Sequence, residues 1–179
     1  VESRGLGDVY KRQLLLLAFT SRSSLGVLPA TIDTLTQKLG VSQGTASFVS
    51  SFGTTAGMQG CAGVFPALLI VYVANTSGTP IDISLIIMSI IVITIGSIGI
   101  AGIPGTSTMA ASVGLSGVGL GASFAFITPI LAIDPIIDMM RTMLNVSGSL
   151  TNAIMVDRQL ELMDMELYQD MTRKEAEKV

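Results

Sequence analysis

The 179 residues of this chain are 49% hydrophobic and 13% charged, with a mean hydropathy of +0.67; a soluble domain carries about a quarter charged residues, so the composition predicts an all-α integral membrane protein or part of one. A net charge of -3 offers no basic face to phosphate and excludes nucleic acid as a partner. One cysteine and no histidine exclude an internal disulfide and a zinc cluster, and they leave any proton coupling to carboxylates.

Residues 1–13 (VESRGLGDVYKRQ) are polar, and the composition changes abruptly at Leu14. The piece from Asp8 to Gln13 resembles one reading frame of a transposon mosaic-end sequencing adapter, GAT GTG TAT AAG AGA CAG. Residues 1–13 are therefore expected to be adapter-derived, with the upstream part of the reading frame lost. The alternative is a short basic loop that holds Lys11 and Arg12 at the cytoplasmic side. The apolar run from Leu14 to Phe19 is too short for a signal peptide.

Four apolar blocks follow, and their lengths do not suit four simple membrane-spanning helices. Residues 14–39 are interrupted by Thr20-Ser21-Arg22-Ser23-Ser24-Leu25-Gly26 and predict a broken helical hairpin. Residues 45–75 predict one helix interrupted at Gly53-Thr54-Thr55-Ala56-Gly57-Met58-Gln59-Gly60, and a polar loop from Asn75 to Asp82 closes the first half. Residues 83–115 as a single helix would overshoot a hydrocarbon core of about 30 Å. Glycine at every third position, Gly96, Gly99, Gly102 and Gly105, with Pro104 in the last interval, folds them into a second hairpin. After a glycine-rich loop, residues 122–156 predict a long helix kinked at Pro129 and Pro135. Residues 157–179 read as a charged, water-facing cytoplasmic tail with a short amphipathic helix through Leu160, Leu162, Met163, Met165 and Leu167.

Two halves with corresponding Gly/Pro-interrupted segments are the pattern of a secondary transporter whose site lies between the breaks. Non-helical backbone at membrane depth survives only where it lines a cavity or is buried in protein. On the last long helix Asp134, Asp138, Arg141 and Asn145 share one face at spacings of four, three and four. Asp138 can accept from a substrate ammonium and Arg141 can hold a carboxylate through two parallel hydrogen bonds, the two ends of a zwitterion. The alternative is an internal Asp138–Arg141 ion pair. Asp134, directly before Pro135, is expected to cap the helix beyond the kink.

The stretches Arg22-Ser23-Ser24-Leu25-Gly26-Val27-Leu28-Pro29, Gly53 to Gly60, Ala101-Gly102-Ile103-Pro104-Gly105 and Asp138 to Val146 resemble, in order, the four core motifs of the dicarboxylate/amino acid:cation symporter family. Within it, Gly57-Met58-Gln59-Gly60-Cys61-Ala62 is similar to the bacterial L-cystine symporters. The resemblance covers residues 14–156 and implies part of the mobile transport domain of an elevator-type homotrimer. Its re-entrant hairpins would be 14–39 and 83–115, its trimer contacts would lie in a missing N-terminal scaffold, and it would sit multi-pass in a bacterial plasma (inner) membrane. Substrate contacts are implied from Arg22, Ser23, Ser24, Gly105, Asp138, Arg141, Thr142 and Asn145. A cation site is implied at Gly53, Thr55, Met58, Ser97, Ile98 and Asn145. Sodium-driven members that carry acidic substrates have Asp where Gln59 and Ser149 stand, so two of the family's sodium sites lose a charged ligand here. The coupling ion is accordingly expected to be sodium, bound weakly or in fewer copies, or a proton on Asp138 or Asp134.

L-Cystine is the expected substrate, with an acidic amino acid or dicarboxylate (aspartate, glutamate) as the alternative. Arg141 suits both, since the family's neutral-amino-acid carriers generally lack it. A channel would present rings of repeated side chains rather than one Asp/Arg/Asn constellation. No enzyme and no cofactor are expected, for no nucleophile–base pair or metal set stands in the sequence, and Cys61 reads as a small packing residue.

Overall fold

The computed structural model describes residues 6–169, with side chains from residue 11 onward, and every regular element among them is helical. Helices α1 (Leu6–Ser21) and α2 (Leu28–Leu39) form a first hairpin. Pro29 lies in the first turn of α2, where a missing N–H costs nothing, and Gly40 ends the helix in the left-handed conformation at φ 69°. Helix α3 (Gln43–Gly53) stops in a turn, and the chain resumes as a π-helical segment (Gln59–Val64) that leads into α4 (Phe65–Ser77). Helices α5 (Ile83–Ser97) and α6 (Thr106–Gly117) form a second hairpin, in which the Asp82 carboxylate caps α5 by accepting from Leu85 N–H at 2.8 Å. A 3-10 segment (Gly121–Ile127) then opens into α7 (Thr128–Gln159), 32 residues long.

Helix α7 is the spine on which two apolar cores are built. Its second half, through Val146, Leu150 and Ala153, packs with Leu14 and Ala18 of α1, Leu35 and Leu39 of α2, and Ala46 of α3. At its other end, Ile127 of the preceding 3-10 segment and the partly buried Ile130 and Leu131 of α7 join Phe65, Leu69, Ile70 and Val73 of α4 and Ala111 and Leu115 of α6. A smaller cluster of Met58, Cys61, Ala62, Ile100 and Ala110 closes the middle. Burying a Leu or Val side chain fully is worth about 1.5–3 kcal/mol, so each core contributes to holding its hairpin against its neighbours. The polar stretch of α7 falls between them.

The two hairpin turns meet there as well. Leu25 N–H donates to the Gly102 carbonyl at 3.0 Å, the Ser23 hydroxyl donates to the same oxygen at 3.0 Å, and Gly102 N–H donates to Thr54 O at 2.8 Å. The breaks at 22–27, 54–58 and 98–105 thus supply one another's backbone partners, which is how irregular backbone survives away from water. Two helical stretches, Gln59–Ser77 and Gly121–Gln159, are long and apolar enough to cross a membrane. Helix α5 is shorter and almost wholly apolar, yet none of its residues is buried, as suits a helix facing an apolar solvent.

The structure departs from the sequence expectations at both ends and at one proline. From Leu6 the polar segment is helix continuous with α1 rather than a loop, because nothing between Asp8 and Ser21 breaks a helix. Residues 1–5 and 170–179 lie outside the described residues, and with them the first five residues of the adapter expectation and the far part of the tail. Pro129 starts α7 instead of kinking it, while Pro135 does lie inside the helix. Helix α7 continues beyond residue 156, and Asp157, expected to face water, is fully buried. Met163 of the tail is buried too, whereas Leu160 and Leu162 are exposed.

Candidate functional site

Asp134, Asp138, Arg141, Thr142, Asn145 and Ser149 are all buried on one face of α7. Arg141 Nη2 donates to Asp134 Oδ1 at 2.5 Å and to Asp138 Oδ1 at 3.4 Å. The other Asp138 oxygen, Oδ2, takes Arg22 Nε at 3.2 Å from the tip of the first hairpin. Asp134 Oδ2 takes the Ser107 hydroxyl of α6 at 2.7 Å. These contacts make an alternating chain, Arg22–Asp138–Arg141–Asp134–Ser107, that runs from one hairpin to the other across α7. Two carboxylates and two guanidinium groups balance, and only such pairing makes their burial tolerable.

Two features set the chain apart from a merely structural ion-pair cluster. Arg22 sits at φ 55°, a left-handed conformation that costs a non-glycine residue about 1–2 kcal/mol, and its side chain is still 26% exposed. Arg141 stacks its guanidinium on Phe65, with Cζ 3.9 Å from the ring centroid, while its Nε and Nη1 are buried without a partner. Both edges with which a guanidinium grips a carboxylate, Nε with Nη2 and Nη2 with Nη1, therefore keep one donor unused. An unsatisfied buried donor is expensive, about 1–3 kcal/mol, and a ligand oxygen would relieve it.

Asn145 fastens the π-helical segment to α7: its Oδ1 accepts Gly60 N–H at 2.8 Å and its Nδ2 donates to Cys61 Sγ at 3.1 Å. Position 60 is tight, since a Cβ there would lie 3.0 Å from Arg141 O and 3.1 Å from Asn145 Oδ1 and would need α7 to yield by a few tenths of an ångström. The Cys61 thiol in turn donates to Asp138 Oδ1 at 3.8 Å. The wider backbone of a π-helical turn brings these groups to face α7.

Of the residues expected to contact substrate, Arg22, Asp138, Arg141 and Asn145 are joined by these bonds, and Thr142 is buried beside them. Ser23 and Ser24 lie at the first tip but are engaged elsewhere: Ser23 Oγ accepts Gly26 N–H at 2.9 Å besides donating to Gly102 O, and Ser24 Oγ donates to Met58 Sδ at 3.7 Å. Gly105 stands exposed at the second tip, left-handed at φ 82°, as the N-cap of α6.

The expected cation residues are more scattered. Met58 O accepts Ala62 N–H at 2.9 Å, and Asn145 O accepts the Ser149 hydroxyl at 3.2 Å. The Thr55 hydroxyl donates to Phe52 O at 3.0 Å, Ser97 donates to Thr94 O at 2.8 Å, and Ile98 N–H donates to Ile95 O, each within its own hairpin or turn. Gly53 is buried against the Ser149 hydroxyl. All these ligand atoms are neutral, and Gln59 points its amide at Leu144 O, 2.9 Å away, instead of offering a charge. The groups expected to hold a cation are engaged in bonds within their own turns rather than converging on one point.

Asp134 is a correction: it lies inside α7 and holds Arg141 and Ser107, and it caps nothing. The signal was available, because positions 134 and 141 are two helical turns apart on one face. Phe65 and the polar role of Cys61 were missed, for neither has a sequence pattern beyond adjacency to the break in the second apolar block.

A charge-balanced polar site thus lies buried where two hairpin turns and an interrupted helix converge, in an all-helical chain with stretches long and apolar enough to cross a membrane. A profile of the sodium:dicarboxylate symporter family matches residues 10–159, and the chain belongs to that family. It is 42% identical over 160 residues to the L-cystine uptake protein TcyP of Bacillus licheniformis, an alignment covering 89% of this chain and 34% of that protein. The TcyP proteins of Bacillus anthracis and Shouchella clausii are 42% and 43% identical over 162 and 158 residues. The chain thus spans about a third of the length of these curated relatives.

Proposed function

We propose that this chain is the substrate-binding part of a cation-coupled amino-acid symporter and that its substrate is L-cystine. One observation carries the reading: Arg141 is buried, fixed by Asp134 and Phe65, and keeps two donors free beside an Asp138 whose other partner, Arg22, sits on a strained, half-exposed tip. A substrate carboxylate would complete Arg141, and the substrate ammonium would replace Arg22 on Asp138. Thr142 and Asn145 would then border the amino-acid backbone, with Ser23, Ser24 and Gly105 at the two tips.

The architecture supports an elevator-type transport domain with re-entrant hairpins. At about 1.5 Å per residue, the 12 residues of α2 and of α6 extend about 18 Å each, short of a hydrocarbon core of about 30 Å. The homotrimer and its scaffold, the inner-membrane location and the cytoplasmic side of the tail belong to the same proposal. The names of the relatives favour L-cystine over aspartate or glutamate. Gln59 and Ser149 favour a proton, or fewer sodium ions, as the coupling species, since both side chains donate to α7 carbonyls in place of charged ligands. Sodium, where bound, would be held by the oxygens of Gly53, Thr55, Met58, Ser97, Ile98 and Asn145.

The test is uptake of labelled L-cystine and L-aspartate by the full-length protein in vesicles, under separately imposed proton and sodium gradients. Saturable cystine uptake with counterflow is expected, and Arg141→Ala should lower it at least a hundredfold, since removing one member of a buried charge set costs about 3–5 kcal/mol. Aspartate uptake that cystine does not inhibit would overturn the substrate, and conductance without exchange would overturn the carrier.

A further inference from the structure

Asp157 lies outside the site, in the last turn of α7, and is completely buried. Its carboxylate accepts the Ser42 N–H at 2.8 Å and the Ser42 hydroxyl at 2.5 Å. Ser42 is the N-cap position of α3, and its own side chain makes no cap bond there. An acid from α7 therefore takes one of the free backbone donors at the start of α3, Ser42 N–H, where the helix dipole favours a negative charge. The chain then turns back, with Leu162 N–H on Asp157 O at 3.1 Å, and Asp164 N–H donates to Gly40 O at 2.8 Å. Gly40 is the left-handed C-cap of α2, and a Cβ there would overlap the Asp164 carbonyl. Tyr168 packs against the core that holds Leu14, Leu35, Leu39 and Leu150. The end of α2, the start of α3 and the end of α7 are thus tied at one corner. The second hairpin has a different arrangement at its α5 end, which is capped by its own neighbour Asp82.

We propose that Asp157 is a positioning residue for the site. Together with the turn through Asp164 it locks the base of the first hairpin to α7. Helix α2, stiff over its 12 residues, carries that register to the tip, where Arg22 must meet Asp138. Loss of the carboxylate leaves Ser42 N–H without its acceptor, frees the base of the hairpin and lets the tip drift from α7. The inference rests on the amino-acid-site reading for its transport arm only, and its labelling arm stands alone.

The experiment uses the full-length protein with its other cysteines replaced, carrying Ser23→Cys as a tip reporter. Alkylation of the reporter by N-ethylmaleimide is compared with and without Asp157→Ala, per folded molecule by size-exclusion peak. A rise of at least fivefold in labelling rate is expected. In the parental background, Asp157→Ala should raise KM about tenfold with Vmax within twofold, and that effect should vanish when Arg22→Ala is already present. Should Asp157→Ala fail to accumulate, Asp157→Asn, which keeps one acceptor oxygen, is expected to give a smaller change in the same direction. A loss of folded protein with labelling and KM both unchanged overturns the proposal. If no amino acid is carried at all, the site reading fails, and the labelling comparison still decides the role of Asp157.

Discussion

Arg141 carries more of the site than any other side chain, because one of its nitrogens serves two carboxylates while the other two have no partner. That division depends on Asp134, so an acid beside a proline is built into the buried ion-pair chain. Gly102 does comparable work in the backbone. Its N–H and C=O are both spent on other turns, and a Cβ there would overlap Ser24 Oγ and lie 2.9 Å from Thr54 O. Gly102→Ala should therefore part the two tips and destabilise the purified full-length protein by about 1–3 kcal/mol, as overpacking does. The double variant Ser24→Ala/Gly102→Ala removes the hydroxyl but not the carbonyl contact. It should recover only part of the loss in a thermal-shift assay; full recovery would mean that Thr54 yields freely.

At the scale of elements, the interruptions were legible because membrane helices tolerate glycine clusters only for a reason, and Gly53, Gly57, Gly102 and Gly105 all fall at breaks. The face of α7 was legible from spacing alone. The fastening of elements to one another was not. The buried stripe of α7 continues from Asn145 through Ser149 and Ala153 to Asp157, a helical period that the rise in charge after Val156 concealed. Likewise no sequence pattern announces that Ser149 and Gly53 touch, since one sits on α7 and the other ends α3. That contact is testable. Gly53→Ala should drive a Cβ into Ser149 Oγ and lower stability by about 1–3 kcal/mol. Adding Ser149→Ala, which removes the overlapping oxygen and leaves a Cβ at 3.2 Å, should restore most of it. Equal instability of the single and double variants would show that α3 and α7 approach differently.

For the whole molecule the governing quantity is charge. The site between the two cores holds Arg22 and Arg141 against Asp134 and Asp138, and it balances before any ligand enters. A ligand of zero net charge leaves it balanced. L-Cystine, two zwitterions joined by a disulfide, is such a ligand at neutral pH, whereas aspartate brings one extra negative charge. At about 4 Å and an effective dielectric near 20 a unit charge interacts by about 4 kcal/mol, enough to decide between substrates unless a cation travels with the acidic one. Asp134→Asn removes one negative charge without emptying the space, so the site would carry a surplus positive charge that suits aspartate. In the full-length protein, without sodium, the ratio of inhibition constants for aspartate and cystine should fall about tenfold on Asp134→Asn, a shift of about 1.4 kcal/mol. Ser107→Ala frees the same Asp134 oxygen without changing charge and should leave the ratio where it was. If both variants move it equally, Asp134 acts by holding Arg141 in place, and electrostatic balance is not what selects the substrate.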